Sequence, residues 1–185
     1  MTERDEMRLR TVTASAVVAV MTFLVRPATN ADWPSIWPII QEVAASQETF
    51  AMDAAPNERD MRASWMTQHP GRAVLAVDER GQVLGTANMY ANRPNQGSHV
   101  ASGSFMVAAP ARGRGVGRAL VRDMIDWTTE HGFRGIQFNA VVASNEGAVR
   151  LYESEGFNIV GVAPGGFLHP TLGPVDLLIL WRDLP

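Results

Sequence analysis

Arg112-Gly113-Arg114-Gly115-Val116-Gly117-Arg118 is the stretch of this 185-residue chain whose residue types speak most directly of chemistry. It follows an apolar segment ending at Val107 and runs into Ala119, Leu120 and Val121, the start of an apolar-periodic helix. The first turn of a helix carries N–H groups with no intrahelical partner, together with the positive end of the helix dipole, so an anion can satisfy both. Glycines let the backbone come close to that anion, and Arg112, Arg114 and Arg118 add the charge a strongly anionic ligand needs. The same residues also suit an ordinary glycine-rich connection between a strand and a helix.

Two common phosphate-binding patterns do not fit. A dinucleotide fingerprint needs glycines at its first, third and sixth positions, but counting from Gly113 the sixth is Arg118. A Walker A loop needs a lysine, and all 16 basic residues are arginine. The lack of lysine also removes Schiff-base chemistry. With no cysteine there is no disulfide framework, thiolate catalysis or Cys-ligated metal, and none of the residues is read as a metal ligand. That composition fits a cytoplasmic protein. A net charge of −3 argues against a general polyanion binder, so a small-molecule partner is expected rather than a nucleic acid or a membrane.

The elements that must hold the turn are legible from periodicity. With 46% hydrophobic residues, 21–185 reads as one domain. Residues 1–20 read as an extension, disordered or adding to a strand, with Met21 as an alternative start. Its first ten residues mix Glu3, Asp5 and Glu6 with Arg4, Arg8 and Arg10, unlike the positive head of a signal peptide. Phe23 to Arg26 is a strand, and Trp33, Ile36, Ile39, Ile40 and Val43 form one helix face with Pro34 in its first turn. Glu58 to Gln68 is a second helix, ended by His69-Pro70-Gly71. Strands follow at 73–77, 83–90 and 99–107, then a helix over 116–129 and a strand over 136–142. A short helix over 147–155, a strand over 157–162, a long turn over 164–174 and a strand over 175–181 complete a mixed sheet with helices on both faces.

Beyond the arginine-glycine turn, Asn145-x-x-Ala148-x-x-Leu151-Tyr152-x-x-x-Gly156-Phe157 lies about thirty residues downstream. Together the two patterns resemble the GCN5-related N-acetyltransferases, the GNAT superfamily. Its specific residues lie within 105–163, and its element order covers 22–184. The resemblance implies an α/β (α+β) acyl-CoA N-acyltransferase fold, with a mostly antiparallel sheet splayed between its fourth and fifth strands. It implies acetyl-CoA as cosubstrate, held at its pyrophosphate by Arg112, Gly113, Arg114, Gly115, Val116, Gly117 and Arg118. Asn145 is expected to cap its helix and also to bond the pantetheine arm. The Val107 N–H is expected to polarise the thioester carbonyl. Tyr152 stands where the family places an acid for the leaving thiolate.

A base for the incoming ammonium is harder to name. The strand 99–107 holds no carboxylate, so His99 is its ionisable candidate, with His169, Glu48 and Asp176 elsewhere and deprotonation through water also open. Asn139, in mid-strand on the parity opposite Phe138, is expected to be buried, and either satisfies freed backbone or orients the acceptor amine. More locally, Asn92-Arg93-Pro94-Asn95-Gln96-Gly97-Ser98-His99 with Phe138-Asn139 and Asn145 resembles the yeast enzymes that acetylate toxic proline analogues. That implies a small amino acid or cyclic secondary amine, with Asn95 and Asn139 as polar contacts and Arg93 as a carboxylate partner. A homodimer is expected from the family's habit. An acyl-CoA-binding sensor and a peptide or protein N-terminal acetyltransferase are the competing functions.

Overall fold

A computed structural model describes residues 23–67 and 70–185. The expectations for residues 1–20 and Met21, and for His69 as a helix stop, lie outside the described residues. Among the described residues seven strands form one sheet in the order β1-β2-β3-β4-β5-β7-β6. They are β1 (Phe23–Pro27), β2 (Arg72–Asp78), β3 (Val83–Ala91), β4 (Val100–Val107), β5 (Gly135–Val142), β6 (Asn158–His169) and β7 (Gly173–Asp183). Every pairing is antiparallel except β4 with β5.

Two helices cover one face, α1 (Trp33–Ser46) and α2 (Glu58–Trp65), and α3 (Val116–Glu130) with α4 (Glu146–Ser154) covers the other. The first core joins Trp33, Ile36, Ile40 and Trp65 to Leu75 and Met106. The second joins Leu120, Met124 and Trp127 to Met89, Ile136 and Leu180. Fully burying each such side chain contributes roughly 1.5–3 kcal/mol, so the apolar stripes dictate which helix face meets the sheet. Gly103 lets α3 lie close: a Cβ there would stand 2.6 Å from the Asn88 carbonyl and 3.1 Å from Met124 Sδ.

Local chemistry sets the helix ends. Asp32 accepts N–H from Thr29 at 2.7 Å and a forked pair from Arg26 at 2.7 and 3.0 Å, tying β1 to the entry of α1. At the exit Gln47 adopts φ +54°, and its amide donates to the carbonyls of Ala44 and Met52 at 3.0 and 2.8 Å. The loop after α1 is thereby pinned at both ends. On α2, Trp65 donates to Thr86 Oγ1 at 3.0 Å, and Thr86 donates to the Val74 carbonyl at 2.9 Å, so two buried polar groups on the sheet are satisfied through one helix.

Two sequence expectations need correction. α2 ends at Trp65 rather than at Gln68, because Met66 leaves the helical region with ψ +57°. The expected long turn over 164–174 is mostly strand: β6 runs to His169 and β7 starts at Gly173. Proline and glycine ordinarily punctuate strands, but among the described residues β6 is the sheet's edge and pairs only with β7, so the missing N–H of Pro164 breaks no second ladder there. A bulge between Ala163 and Phe167 absorbs the extra residues, with the Gly165 N–H bonded to Asp176 Oδ1 at 2.9 Å.

Candidate active site

The parallel pair β4–β5 is short. Val100 pairs with Gly135 and Ala101 with Ile136, after which the strands part, leaving Ser102 to Val107 without a strand partner on that edge among the described residues. Ladder directions alternate along a strand, and Ala108 donates to the β3-side carbonyl of Leu84 at 3.0 Å. The Val107 N–H therefore points to the opposite edge, into the gap. A cleft of about 1040 Å³ runs through this gap, lined by both parted strands, the turn before α3 and the start of α4.

The turn before α3 has the backbone that its glycines suggested. Gly113 and Gly115 sit at φ +73° and +82°, and Gly115 caps the helix with no side-chain bond of its own. The first intrahelical bond runs from Ala119 to Gly115, so the N–H groups of Val116, Gly117 and Arg118 have no helical acceptor. Gly113, Gly115, Val116, Gly117 and Arg118 line the cleft. Arg112 and Arg118 each meet a carboxylate. Arg112 reaches Glu42 of α1 at 2.9 Å and the Val107 carbonyl at 3.3 Å. Arg118 lies 3.5 Å from Glu155, a carboxylate only 8% exposed that Arg122 also holds, at 2.9 Å. What the turn can offer an anion is thus first its backbone N–H groups, with the charge of Arg112 and Arg118 partly neutralised nearby.

Tyr152 projects from α4 into an aromatic group, with ring centroids 4.7 Å from Phe138, 5.8 Å from Phe157 and 6.2 Å from Phe105. Burial among these rings raises its phenol well above the ordinary range, so it keeps its proton. Among the described residues its hydroxyl makes no hydrogen bond, and the residue lines the cleft. Asn145 caps α4 by accepting the Ala148 N–H at 3.3 Å. Beside it the buried Ser144 Oγ has no partner among the described residues, and Ser144 lines the same cleft.

The α1–α2 face of the gap carries a different set. Asn88 donates to the Ser64 carbonyl of α2, and residues paired across strands share a face, so Ser104 opposite Asn88 and Ser102 opposite Tyr90 lie on that side. Asn139 lies there too. It is exposed, contrary to the expected burial, and sits where a bulge separates β5 from β7. Its Nδ2 donates to Asn92 Oδ1 at 2.7 Å, while its Oδ1 accepts from Gln137 at 2.9 Å and Asn92 at 3.3 Å. Asn95, at φ +53° in a short 3-10 turn, is exposed and does not line the cleft. Arg93 turns back to the Asn92 carbonyl at 2.9 Å.

Of the four base candidates, the structure brings two to the cleft. Glu48, on the pinned loop after α1, and His169, at the end of β6, both line it. His99 does not. It is exposed just before β4, eight residues from Val107, or roughly 26 Å along an extended strand. Asp176 anchors the β6 bulge instead. Sequence reasoning missed Ser102, Ser104 and Tyr90, whose only signal is their shared parity on two neighbouring strands, and a parity has no meaning until the strands are paired.

The order of strands, the parted parallel pair and the glycine turn before α3 are joined by one further finding: residues 33–157 match the Acetyltransferase (GNAT) family. The chain belongs to the GNAT family. It is 53% identical to a GCN5-related N-acetyltransferase from Kribbella flavida, covering 88% of this chain and 98% of that one with a TM-score of 0.86. A phosphinothricin acetyltransferase from Sinorhizobium meliloti, solved with AcCoA, is 26% identical, with a TM-score of 0.77 over 89% of each chain. N-acetyltransferase aca1 of Schizosaccharomyces pombe is 31% identical over 117 residues, 63% of this chain and 56% of that protein. The chain spans about half or less of the length of the curated relatives it matches. The residues present fit the GNAT cosubstrate: free helix-terminal amides suit a pyrophosphate, the open β4 edge suits the amides of a pantetheine arm, and the orphaned Ser144 hydroxyl awaits a partner.

Proposed function

We propose that this chain transfers the acetyl group of acetyl-CoA to the amine of a small molecule, an amino acid or a cyclic proline analogue being the expected class. The observation that carries the reading is the parted β4–β5 edge, which aims the Val107 N–H between a backbone anion cradle and the protonated Tyr152. Acetyl-CoA supplies an acyl thioester, whose carbonyl carbon is open to an amine and whose sulfur leaves as a thiolate. The amides of Val116, Gly117 and Arg118 hold the pyrophosphate, with Arg112, Gly113, Arg114 and Gly115 shaping the turn, and the Asn145 amide contacts the pantetheine. Val107 N–H donates where negative charge develops on oxygen. Tyr152, with its pKa raised, serves as a hydrogen-bond donor and proton source at the sulfur.

On the opposite face Asn139, held by Asn92 and Gln137, orients the acceptor. Glu48 lines the cleft and is exposed, which suits removal of the ammonium proton through water. A cytoplasmic homodimer completes the proposal. Among the described residues no helix is long and apolar enough to cross a membrane.

The test is a thiol-release assay with acetyl-CoA over a panel of free amino acids, azetidine-2-carboxylate and short peptides. Turnover with free amines above that with peptides is expected. Turnover with peptides alone would replace the small-molecule reading with an N-terminal acetyltransferase, and CoA binding without any turnover would replace it with a sensor.

A further inference from the structure

We infer that His169 is an acceptor-binding residue, one that donates a hydrogen bond from Nε2 to a carboxylate on the substrate and does not act as the base. The inference rests on the proposed transfer to a small amine. His169 is only 8% exposed, yet it lines the cleft. Its Nδ1 accepts the backbone N–H groups of Thr171 and Leu172, both at 3.3 Å, within the tight turn between β6 and β7, and the Thr171 hydroxyl, which can donate as readily as accept, lies at the same distance. A ring nitrogen that accepts two N–H groups carries no proton, so in the neutral ring the proton sits on Nε2. Among the described residues no protein group bonds Nε2, that nitrogen is reached by solvent, and the residue lines the cleft.

The strand register places it on the acceptor side. Leu178 and Leu180 of β7 turn to the α3–α4 core, so the alternate positions Gly173 and Val175, with their β6 partners His169 and Phe167, turn to the other face. That is the face of Ser102, Ser104 and Asn139. An Nε2–H there is a donor whose direction the turn fixes. An acceptor that carries a carboxylate beside its amine gives this donor an oxygen, and the carboxylate's charge makes the bond a strong one.

Two measurements test this on the full chain. In histidine-labelled protein, two-bond proton–nitrogen correlation should show His169 as the Nε2–H tautomer, and a proton on Nδ1 would overturn the assignment. In the transfer assay with azetidine-2-carboxylate, His169→Asn keeps an oxygen for the turn's N–H groups but has no donor at the ε position. Its acceptor KM should rise roughly 10- to 100-fold with kcat and the acetyl-CoA KM little changed, the loss of one bond to a charged group. His169→Gln, which restores an N–H at the ε position, should recover most of that KM even though its turn is less stable. An unchanged KM in His169→Asn, or no recovery in His169→Gln, would overturn the role. Acceptors confined to amines without a carboxylate would leave the small-amine function standing and remove His169 from it. A panel with no acetylated amine would instead remove the function while the tautomer measurement still decided the state of the ring.

Discussion

Gly115→Ala separates the backbone of the cradle from its charge. Gly115 sits at φ +82°, and a Cβ there would meet nothing within 4 Å among the described residues, so the substitution adds no clash with them. Its cost is conformational: an L-residue in the left-handed region loses about 1–2 kcal/mol. For a domain of this size that lowers Tm by roughly 2–8 °C. If the strain relaxes by rotation at residue 115, the Val116 to Arg118 amides turn with it, and losing one bond to a charged phosphate weakens CoA roughly 10- to 100-fold. Gly115→Asn should lose less of both, since Asn visits this conformation more readily. Gly117→Ala is the counter-test. Its φ is not in the positive range, and its methyl would meet Leu151 Cδ2 at 3.4 Å and Val107 Cγ2 at 3.8 Å, ordinary contact. Helix propensity then favours Ala by up to about 1 kcal/mol, so its Tm should hold or rise. Thermal melts and CoA calorimetry on the three variants decide the matter. A Gly115→Ala protein with wild-type Tm and wild-type CoA affinity would refute the account of the turn.

Tyr152→Phe should cut kcat by roughly 100-fold or more while leaving CoA affinity nearly unchanged, since its hydroxyl has no protein partner among the described residues; stopped thiol release against calorimetry separates the two. Asp32→Ala removes both a capping box and the fork from Arg26 and should cost about 1–2 kcal/mol in urea denaturation at pH 7. The Arg26 guanidinium and the Thr29 groups hold the Asp32 carboxyl below its ordinary range, so the unfolded chain binds the proton more readily. The wild-type advantage over Asp32→Ala should therefore be whole above about pH 4, the unfolded value, and shrink as the pH falls towards the folded one. An advantage that instead shrinks between pH 7 and pH 5 would place it in another group.

Periodicity was enough to place α1, α3 and the hairpins, because burying one face fixes a spacing of 3.6 or 2 along the chain. It failed at β6, where Pro164, Gly165 and Gly166 look like a loop yet lie on an edge that tolerates them. Asn139 failed for a related reason. Parity predicted a buried amide, but the strands part beside it, and the side chain is exposed and held by Asn92 from the bend after β3. Arg112 and Arg118 read as free charge in sequence, while their partners Glu42 and Glu155 lie far along the chain.

What the amino-acid order determined by itself was local: the glycines that permit a left-handed turn, the helix that opens from it, and the Asn145 cap with Tyr152 about two turns further on. These depend on neighbours within a few residues, so no distant pairing can undo them. Only the tertiary structure decided the rest. It parted β4 from β5, aimed Val107 into the gap, brought Glu48 and His169 to one cleft and left His99 at the strand's other end. Those relations join residues dozens of positions apart, and they exist only once register and sheet order say which side chains share a face.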